Sequence, residues 1–123
     1  MPGVTLQEVR VEALSLPRSY EALVRGRVKF RVGRIVYLAA SRDETLLGFA
    51  FPKDEREALV EAEPDKFMLP RPSDMRYHWA VVRLAAIDHE EMTEIVFHAW
   101  RMVVPKFLAA QVAAERDIDL SPD

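Results

Sequence analysis

The segment RGRVKFRVGRIVYLAA, residues 25–40, decides the fold class of this 123-residue chain. Charged and apolar residues alternate over residues 27–32, which is typical of a strand with one buried face. Gly33-Arg34 then suits a two-residue hairpin turn with glycine in the first position, and residues 35–40 return as a second strand. The segment therefore predicts an antiparallel β-hairpin.

The turn also predicts which residues share a face of the hairpin. With Gly33-Arg34 as the turn, the facing pairs that form the core side are Val32 with Ile35, Phe30 with Tyr37, and Val28 with Ala39. The opposite side then carries cations and aliphatic residues together: Arg27, Lys29, Arg31, Val36, Leu38 and Ala40. A third strand within residues 45–51 adds Leu46, Gly48 and Ala50 to it. The second face is thus predicted to be an aliphatic strip edged by cations.

Helix signals flank these strands. Thr5 and Glu8 have capping-box spacing at the start of a first helix, and Asp88 and Glu91 repeat it at the start of a last helix. Pro105 is expected to kink or split that last helix. Helices are therefore predicted on both sides of the strand-rich segment.

The middle of the chain predicts a short acidic helix over residues 52–64, with its buried side at Ala58, Leu59 and Ala62. An irregular loop over residues 65–76 and a fourth strand over residues 77–87 follow, and Trp79 is expected in the core. The predicted order is α-β-β-β-α-β-α.

This order predicts an α+β, two-layer domain, with an antiparallel sheet and helices packed on one face. We expect one domain over residues 1–123, with a core over about residues 4–110 and a polar C-terminal tail over about residues 117–123.

Composition excludes several classes of protein. The chain has no cysteine, so disulfides, thiolate nucleophiles and iron–sulfur clusters are ruled out. No basic-then-apolar leader is recognisable, and no apolar run approaches the roughly 20 residues needed to span a bilayer. We expect a cytoplasmic protein.

Catalytic motifs are equally scarce. His78, His89 and His98 are scattered without metal-ligand spacing, no serine lies in a Gly-x-Ser-x-Gly elbow, and the four glycines are too dispersed for a phosphate-binding loop. We therefore predict a protein that is not an enzyme and has no metal site and no cofactor.

Several short motifs resemble the MmcQ/YjbR family in their order and spacing: LSLP, FRVGRIVYLAA, FPKDEREALVEAEP, YHWAVVRL and AWRMVVPKFLAA. The similarity runs from about Val4 to Ala110. It implies a CyaY-like, or "double wing", domain, and members are commonly labelled DNA-binding because the fold is similar to the DNA-binding domain of a phage transcription activator. The family often has a basic residue before the His-Trp pair. Tyr77 occupies that place in this chain, and Arg76 lies one position earlier.

Charge leaves three interpretations of the cationic strand. The chain has a net charge of −3, but residues 25–34 carry five cations and no acid, so the rest carries −8. Cations on an exposed strand prevent sheets from aggregating, and their stems cover apolar neighbours. Alternatively, they bind the phosphates of a nucleic acid, or they surround a protein or small acidic ligand on the aliphatic strip.

The candidate nucleic-acid site consists of Arg25, Arg27, Lys29, Arg31, Arg34, Arg76 and His78. His78 is expected either at the rim of a groove or hydrogen-bonded to a neighbouring loop. The chain has no Asn and only two Gln, so we expect contacts to shape and backbone, with modest affinity for DNA. The alternative is a non-enzymatic adaptor that binds a protein or small acidic ligand on the same face. The sequence leaves the oligomeric state open.

Overall fold

A six-stranded antiparallel sheet and four helices form the fold in a computed structural model that describes residues 3–118. The sheet order is β1-β2-β3-β4-β6-β5. The strands are β1 (Ser19–Val24), β2 (Arg27–Val32), β3 (Ile35–Ala40), β4 (Leu46–Ala50), β5 (Phe67–Met68) and β6 (Trp79–Arg83). The helices are α1 (Leu6–Leu14), α2 (Arg56–Ala62), α3 (His89–Arg101) and α4 (Lys106–Glu115), with 3₁₀ turns at Pro72–Asp74 and Leu84–Ala86. The predicted α+β class is confirmed.

Both predicted capping boxes are present. The Thr5 hydroxyl accepts from the Glu8 amide at the start of α1, and the Asp88 carboxylate accepts from the Glu91 amide at the start of α3. In each case the glutamate side chain accepts from the backbone amide of the cap residue. Pro105 separates α3 from α4, as expected of a residue that cannot continue a helix.

Helices α1 and α3 pack against each other and against one face of the sheet. None of the helices formed by residues 3–118 is both long enough and apolar enough to cross a lipid bilayer. Of the predicted polar tail, residues 119–123 lie outside the described residues.

Strands β1 and β5 are absent from the predicted order. β1 is an edge strand whose residues alternate poorly between exposed and half-buried, so it has no periodic apolar signal. Its turn into β2 is nevertheless readable, since Arg25 and Gly26 both have positive φ, at 54° and 80°, as a two-residue type I′ hairpin turn requires. β5 has only two residues, within the segment predicted to be a loop.

The β2–β3 hairpin contains a β-bulge that the sequence pattern does not reveal. Val32 pairs with Ile35 across the turn, as predicted, and Gly33 has the positive φ of 61° expected there. The register then shifts between Phe30 and Arg31, so that Phe30 pairs with Leu38 instead of the predicted Tyr37. One extra residue on β3 is enough to exchange the two faces beyond that point.

The bulge corrects the predicted faces of β3. Leu38 and Ala40, predicted on the second face, are fully buried in the core, whereas Ala39 pairs with Lys29 on the second face. Ile35, predicted to be in the core, is 55% exposed. The aliphatic residues of β3 that line the second face are therefore Ile35, Val36 and Ala39 instead of the predicted Val36, Leu38 and Ala40.

Tyr37 lies at this bulge and is fully buried, with its hydroxyl 2.6 Å from the Ser19 Oγ. Burial disfavours the phenolate and raises the pKa of Tyr37 to about 12. Because the unfolded chain loses this proton near pH 10, the free energy of unfolding should fall by roughly 2–3 kcal/mol between about pH 10 and 12.

Urea unfolding of wild-type protein and Tyr37→Phe across this range tests that expectation. Because the variant lacks the hydroxyl that contacts Ser19, its free energy of unfolding at neutral pH should be about 1 kcal/mol lower than that of the wild type. It should then show a smaller alkaline decline than the wild type, and parallel pH curves would contradict the role of the buried phenol.

Candidate functional site

The face of the sheet opposite α1 and α3 forms a groove of about 680 Å³. We call it the cationic groove. Its lining comes from strands β2, β3, β4 and β6, from residues 71–78, and from the segment after α3: Arg27, Lys29, Ile35, Val36, Ala39, Ala50, Arg71, Asp74, Tyr77, His78, Trp79, Met102 and Val103. No residue of α4 lines it. Helix α4 therefore does not cover this groove.

A second depression of about 330 Å³ adjoins the cationic groove. The two share five lining residues: Arg27, Ala39, Arg71, Asp74 and Trp79. The second depression adds Arg42, from the β3–β4 turn, and Gly48, from β4. The two depressions therefore make one concave track across the sheet.

The cations on β2 are placed by strand pairing. Lys29 is directly opposite Ala39, whose small side chain leaves the space above the sheet open. The Arg27 Nε donates to the Ala40 carbonyl oxygen at 3.1 Å, which holds the guanidinium against the end of β3. Its two terminal nitrogens make no hydrogen bond to any residue from 3 to 118 and can serve a ligand.

The side wall of the groove is a loop fastened by a buried arginine. Arg56, at the start of α2, is only 5% exposed. Its Nη1 donates to the carbonyl oxygens of Tyr77 and Trp79 at 2.8 and 3.3 Å, and its Nη2 donates to that of Met75. Three backbone carbonyls that strand pairing leaves unused are thereby satisfied.

Arg56 also corrects the predicted side of α2. Ala58 and Ala62 are exposed and Leu59 is half-buried, so the arginine is the fully buried residue of this helix. Apolar spacing alone points to the wrong side because the helix is anchored by hydrogen bonds to the loop.

Trp79 forms part of the floor of the groove and packs against the edge of the core. It is half-buried and lies over Gly48, where an added Cβ would be 2.6 Å from the indole Nε1. The absence of a side chain at position 48 therefore lets the indole lie against the backbone of β4. The prediction that Trp79 is a core residue holds only in part, because the half-buried indole packs against the core and also lines the groove.

The electrostatics of the track differ from those of the whole chain. Four cations line it, Arg27, Lys29, Arg42 and Arg71, against one carboxylate, Asp74, which lies 3.4 Å from the Arg71 Nε. Within residues 3–118, no carboxylate lies within 4.0 Å of the other three cations. The track is thus locally positive on a chain of net charge −3.

Three of the predicted site residues meet in the cationic groove: Arg27, Lys29 and His78. His78 is also hydrogen-bonded to a neighbouring loop, since its Nδ1 accepts from the Lys53 amide at 3.0 Å. Both expectations for this residue therefore hold together. Arg76 lies beside the groove, with its guanidinium 4.9 Å from the centre of the Tyr77 ring.

The remaining predicted residues are placed elsewhere. Arg25 and Arg34 are exposed in the turns at opposite ends of β2 and do not line the track. Arg31 is half-buried on β2, and its Nε is buried without a hydrogen-bond partner among the described residues. The alternating cations of the sequence therefore do not form one continuous surface.

Two cations of the track are absent from the predicted set. Arg71 stands between Pro70 and Pro72, and two prolines restrict the backbone on either side of it. That pattern is a usable sign of a side chain presented from a rigid loop. Arg42 has no comparable signal, because its position follows from the β3–β4 turn alone.

The other histidines contribute nothing to this face. His89 is exposed at the start of α3, and partial desolvation by its surroundings together with the charge of Arg101 lowers the pKa of His98 on the same helix. Over residues 3–118, no group of three or more His, Asp or Glu side chains could hold a metal ion.

An antiparallel sheet with helices on one face and a cationic groove on the other defines a small α+β domain with a concave, positively charged surface. The model of the YjbR family matches residues 14–102, and the chain therefore belongs to that family. This confirms the resemblance seen in the sequence.

A crystal structure supports the same fold. It is that of Deinococcus radiodurans protein DR2400, with the family-model domain DUF419, and it is similar to this chain with a TM-score of 0.73 at 20% identity. The similarity covers 100% of this chain and 95% of that one. At this identity it establishes the fold alone. No curated protein matches the chain.

Proposed function

We propose that this protein binds nucleic acid through the cationic groove, with modest affinity and without catalysing a reaction. The observation that carries the proposal is the placement of Arg27, Lys29 and Arg71 on one concave surface of a chain that is acidic overall. Arg27 and Lys29 have no carboxylate partner among residues 3–118, and Arg71, whose side chain is 71% exposed, is paired with Asp74 only at 3.4 Å. These cations are available to phosphates, and each phosphate they neutralise releases bound counterions.

The proposed contacts are to the backbone of the nucleic acid rather than to base edges. The track contains no Asn, Gln or Glu, and Ser41 is its one aliphatic hydroxyl among the lining residues, so the side chains that usually read base edges are scarce in it. The net charge of −8 outside residues 25–34 opposes long-range attraction and limits affinity.

A salt series with a fluorescently labelled oligonucleotide tests the proposal. Binding should weaken steeply between about 50 and 200 mM salt. In the triple variant Arg27→Gln, Lys29→Gln, Arg71→Gln, the slope of log affinity against log salt should fall by about 2–3, because three phosphate contacts are lost.

The matched control is Arg25→Gln, Arg34→Gln, Lys106→Gln, which removes the same charge from exposed positions outside the track. It should keep nearly the wild-type slope. Equal slopes for the two triple variants, or no binding by the wild type at low salt, would disprove the proposal.

The second candidate, a small acidic ligand, rests on the size of the groove. A volume of about 680 Å³ falls in the range of small-molecule pockets, and Val36, Ala39 and Val103 add apolar lining to the cations. A copurifying metabolite, detected by native mass spectrometry and lost in the Arg27, Lys29, Arg71 variant, would favour this function over the first.

A further inference from the structure

Trp79 places an aromatic surface in the middle of the cationic track. The indole rests on the backbone at Gly48, and the same residue lines both the 680 Å³ groove and the 330 Å³ depression. The Nε1, Cε2 and Cζ2 atoms of the ring lie closest to the sheet, and the side chain is half-buried. An indole fixed in this way is preorganised, and its exposed part can stack with a flat ring of a ligand.

Cations lie on both sides of this platform. Lys29 lines the larger groove and Arg42 the smaller depression, while Arg27 and Arg71 line both. A polyanion that crosses the track would therefore meet positive charge before and after the indole. Alternation of aromatic and cationic contacts is the pattern by which proteins bind single-stranded nucleic acid without sequence preference.

The shape of the track opposes a duplex. A DNA duplex is a wide, convex rod, and specific duplex interfaces bury roughly 1,000–2,500 Å² of protein surface. The two depressions are instead small concavities with the volumes of small-molecule pockets. The floor cations lie inside a concavity walled by residues 71–78. Unpaired nucleotides can enter such a concavity, whereas the stacked bases of a duplex are unavailable to the indole.

We propose that the track binds single-stranded nucleic acid, with one base stacked on the indole of Trp79 and the flanking phosphates bound by the cations on either side. This inference rests on the proposed function and specifies its substrate class. DNA and RNA strands share the required chemistry, since every base offers a π-face.

Tryptophan fluorescence provides a direct readout, because the two tryptophans of the chain differ in environment. Trp100 is fully buried and its Nε1 donates to the Pro17 carbonyl oxygen at 3.0 Å, so a ligand in the track does not reach it. Titration with an oligothymidylate of about twelve nucleotides should quench the wild type and leave Trp79→Phe unquenched. A ribo-oligouridylate of equal length should act in the same way.

Affinity measurements provide the second test. Trp79→Ala should lower the affinity for the single strand by about fivefold to a hundredfold, the range measured for loss of one base–aromatic stack. The slope of log affinity against log salt should change little. Gly48→Ala forces the indole away from the sheet and should also lower the affinity for the single strand. This variant keeps the test available even if Trp79→Ala folds poorly. The wild type should bind the single strand at least tenfold more tightly than a duplex of the same length.

The outcomes separate the two proposals. If binding depends on salt but does not quench the fluorescence of Trp79, and if the Trp79 variants bind as tightly as the wild type, the stacking inference is overturned. The cationic groove would then remain a nucleic-acid site. A duplex bound as tightly as the single strand would overturn the inference in the same way. A mononucleotide bound as tightly as the oligomer would also overturn it, in favour of a small-ligand site. Failure of all nucleic acids to bind would overturn both proposals.

Discussion

Replacement of Arg56 by Met should lower the free energy of unfolding by about 3–5 kcal/mol. The substitution keeps most of the buried stem but removes the donors to the carbonyl oxygens of Met75, Tyr77 and Trp79. The three carbonyls are part-buried, and each one left without a donor costs up to about 1–3 kcal/mol, of which water and rearrangement of the loop recover part. Urea denaturation followed by circular dichroism measures the change.

The same substitution should loosen the wall of the cationic groove, because residues 75–79 lose their anchor to α2. Hydrogen exchange should become faster at the amides of Tyr77 and His78 in particular. Arg34→Met is the matched control, since Arg34 is exposed in a turn, and it should change stability by less than about 0.5 kcal/mol. If both variants were equally stable, the buried arginine would not be an anchor.

Replacement of Leu38 by Ala should lower the free energy of unfolding by about 2–5 kcal/mol, the range measured when a buried leucine is truncated. Leu38 is fully buried and pairs with Phe30 on β2 and Phe49 on β4, so its loss leaves a cavity between three strands and the helices. The same substitution would be nearly neutral if the regular hairpin register held, because Leu38 would then face the groove.

Val36→Ala is the control for this register. Val36 lies on the other side of the bulge, is half-buried and lines the groove, so its truncation should cost less than about 1 kcal/mol. The ratio of the two losses, measured by thermal or chemical unfolding, therefore reports which face each residue occupies. A larger loss for Val36→Ala than for Leu38→Ala would contradict the bulge.

The predictions from sequence succeed where one or two turns of chain contain the whole interaction. The capping boxes at Thr5 and Asp88 join residues three apart, and Gly33 satisfies a turn formed by its immediate neighbours. The α+β class follows because the apolar period changes from helical to strand-like along the chain. Such signals are independent of what packs on the element.

The same reasoning fails where pairing partners decide the outcome. Strand β1 is stabilised by pairing with β2 and has no strong pattern of its own, and Arg56 is buried because three distant carbonyls accept its hydrogen bonds. A charged residue on a short helix is ordinarily expected in solvent, and no local signal marks this one as buried.

The candidate site was predicted in part for the same reason. The alternation on β2 identifies Arg27 and Lys29, but it also includes Arg31, which does not line the track, and it omits Arg71. A strand pattern gives the face of a side chain and says nothing about which loop folds over that face.

The sequence by itself determined the fold class, the two capped helix starts, the glycine turn and the presence of cations on β2, because each depends on neighbours a few residues apart. Only the tertiary structure decided the bulge between Phe30 and Arg31, the position of Arg71 in the lining of the groove, and the contact of the Trp79 indole with Gly48. These features depend on how strands and loops distant in the chain fill the same space. Close packing makes that choice collectively, and no single segment of the sequence encodes it.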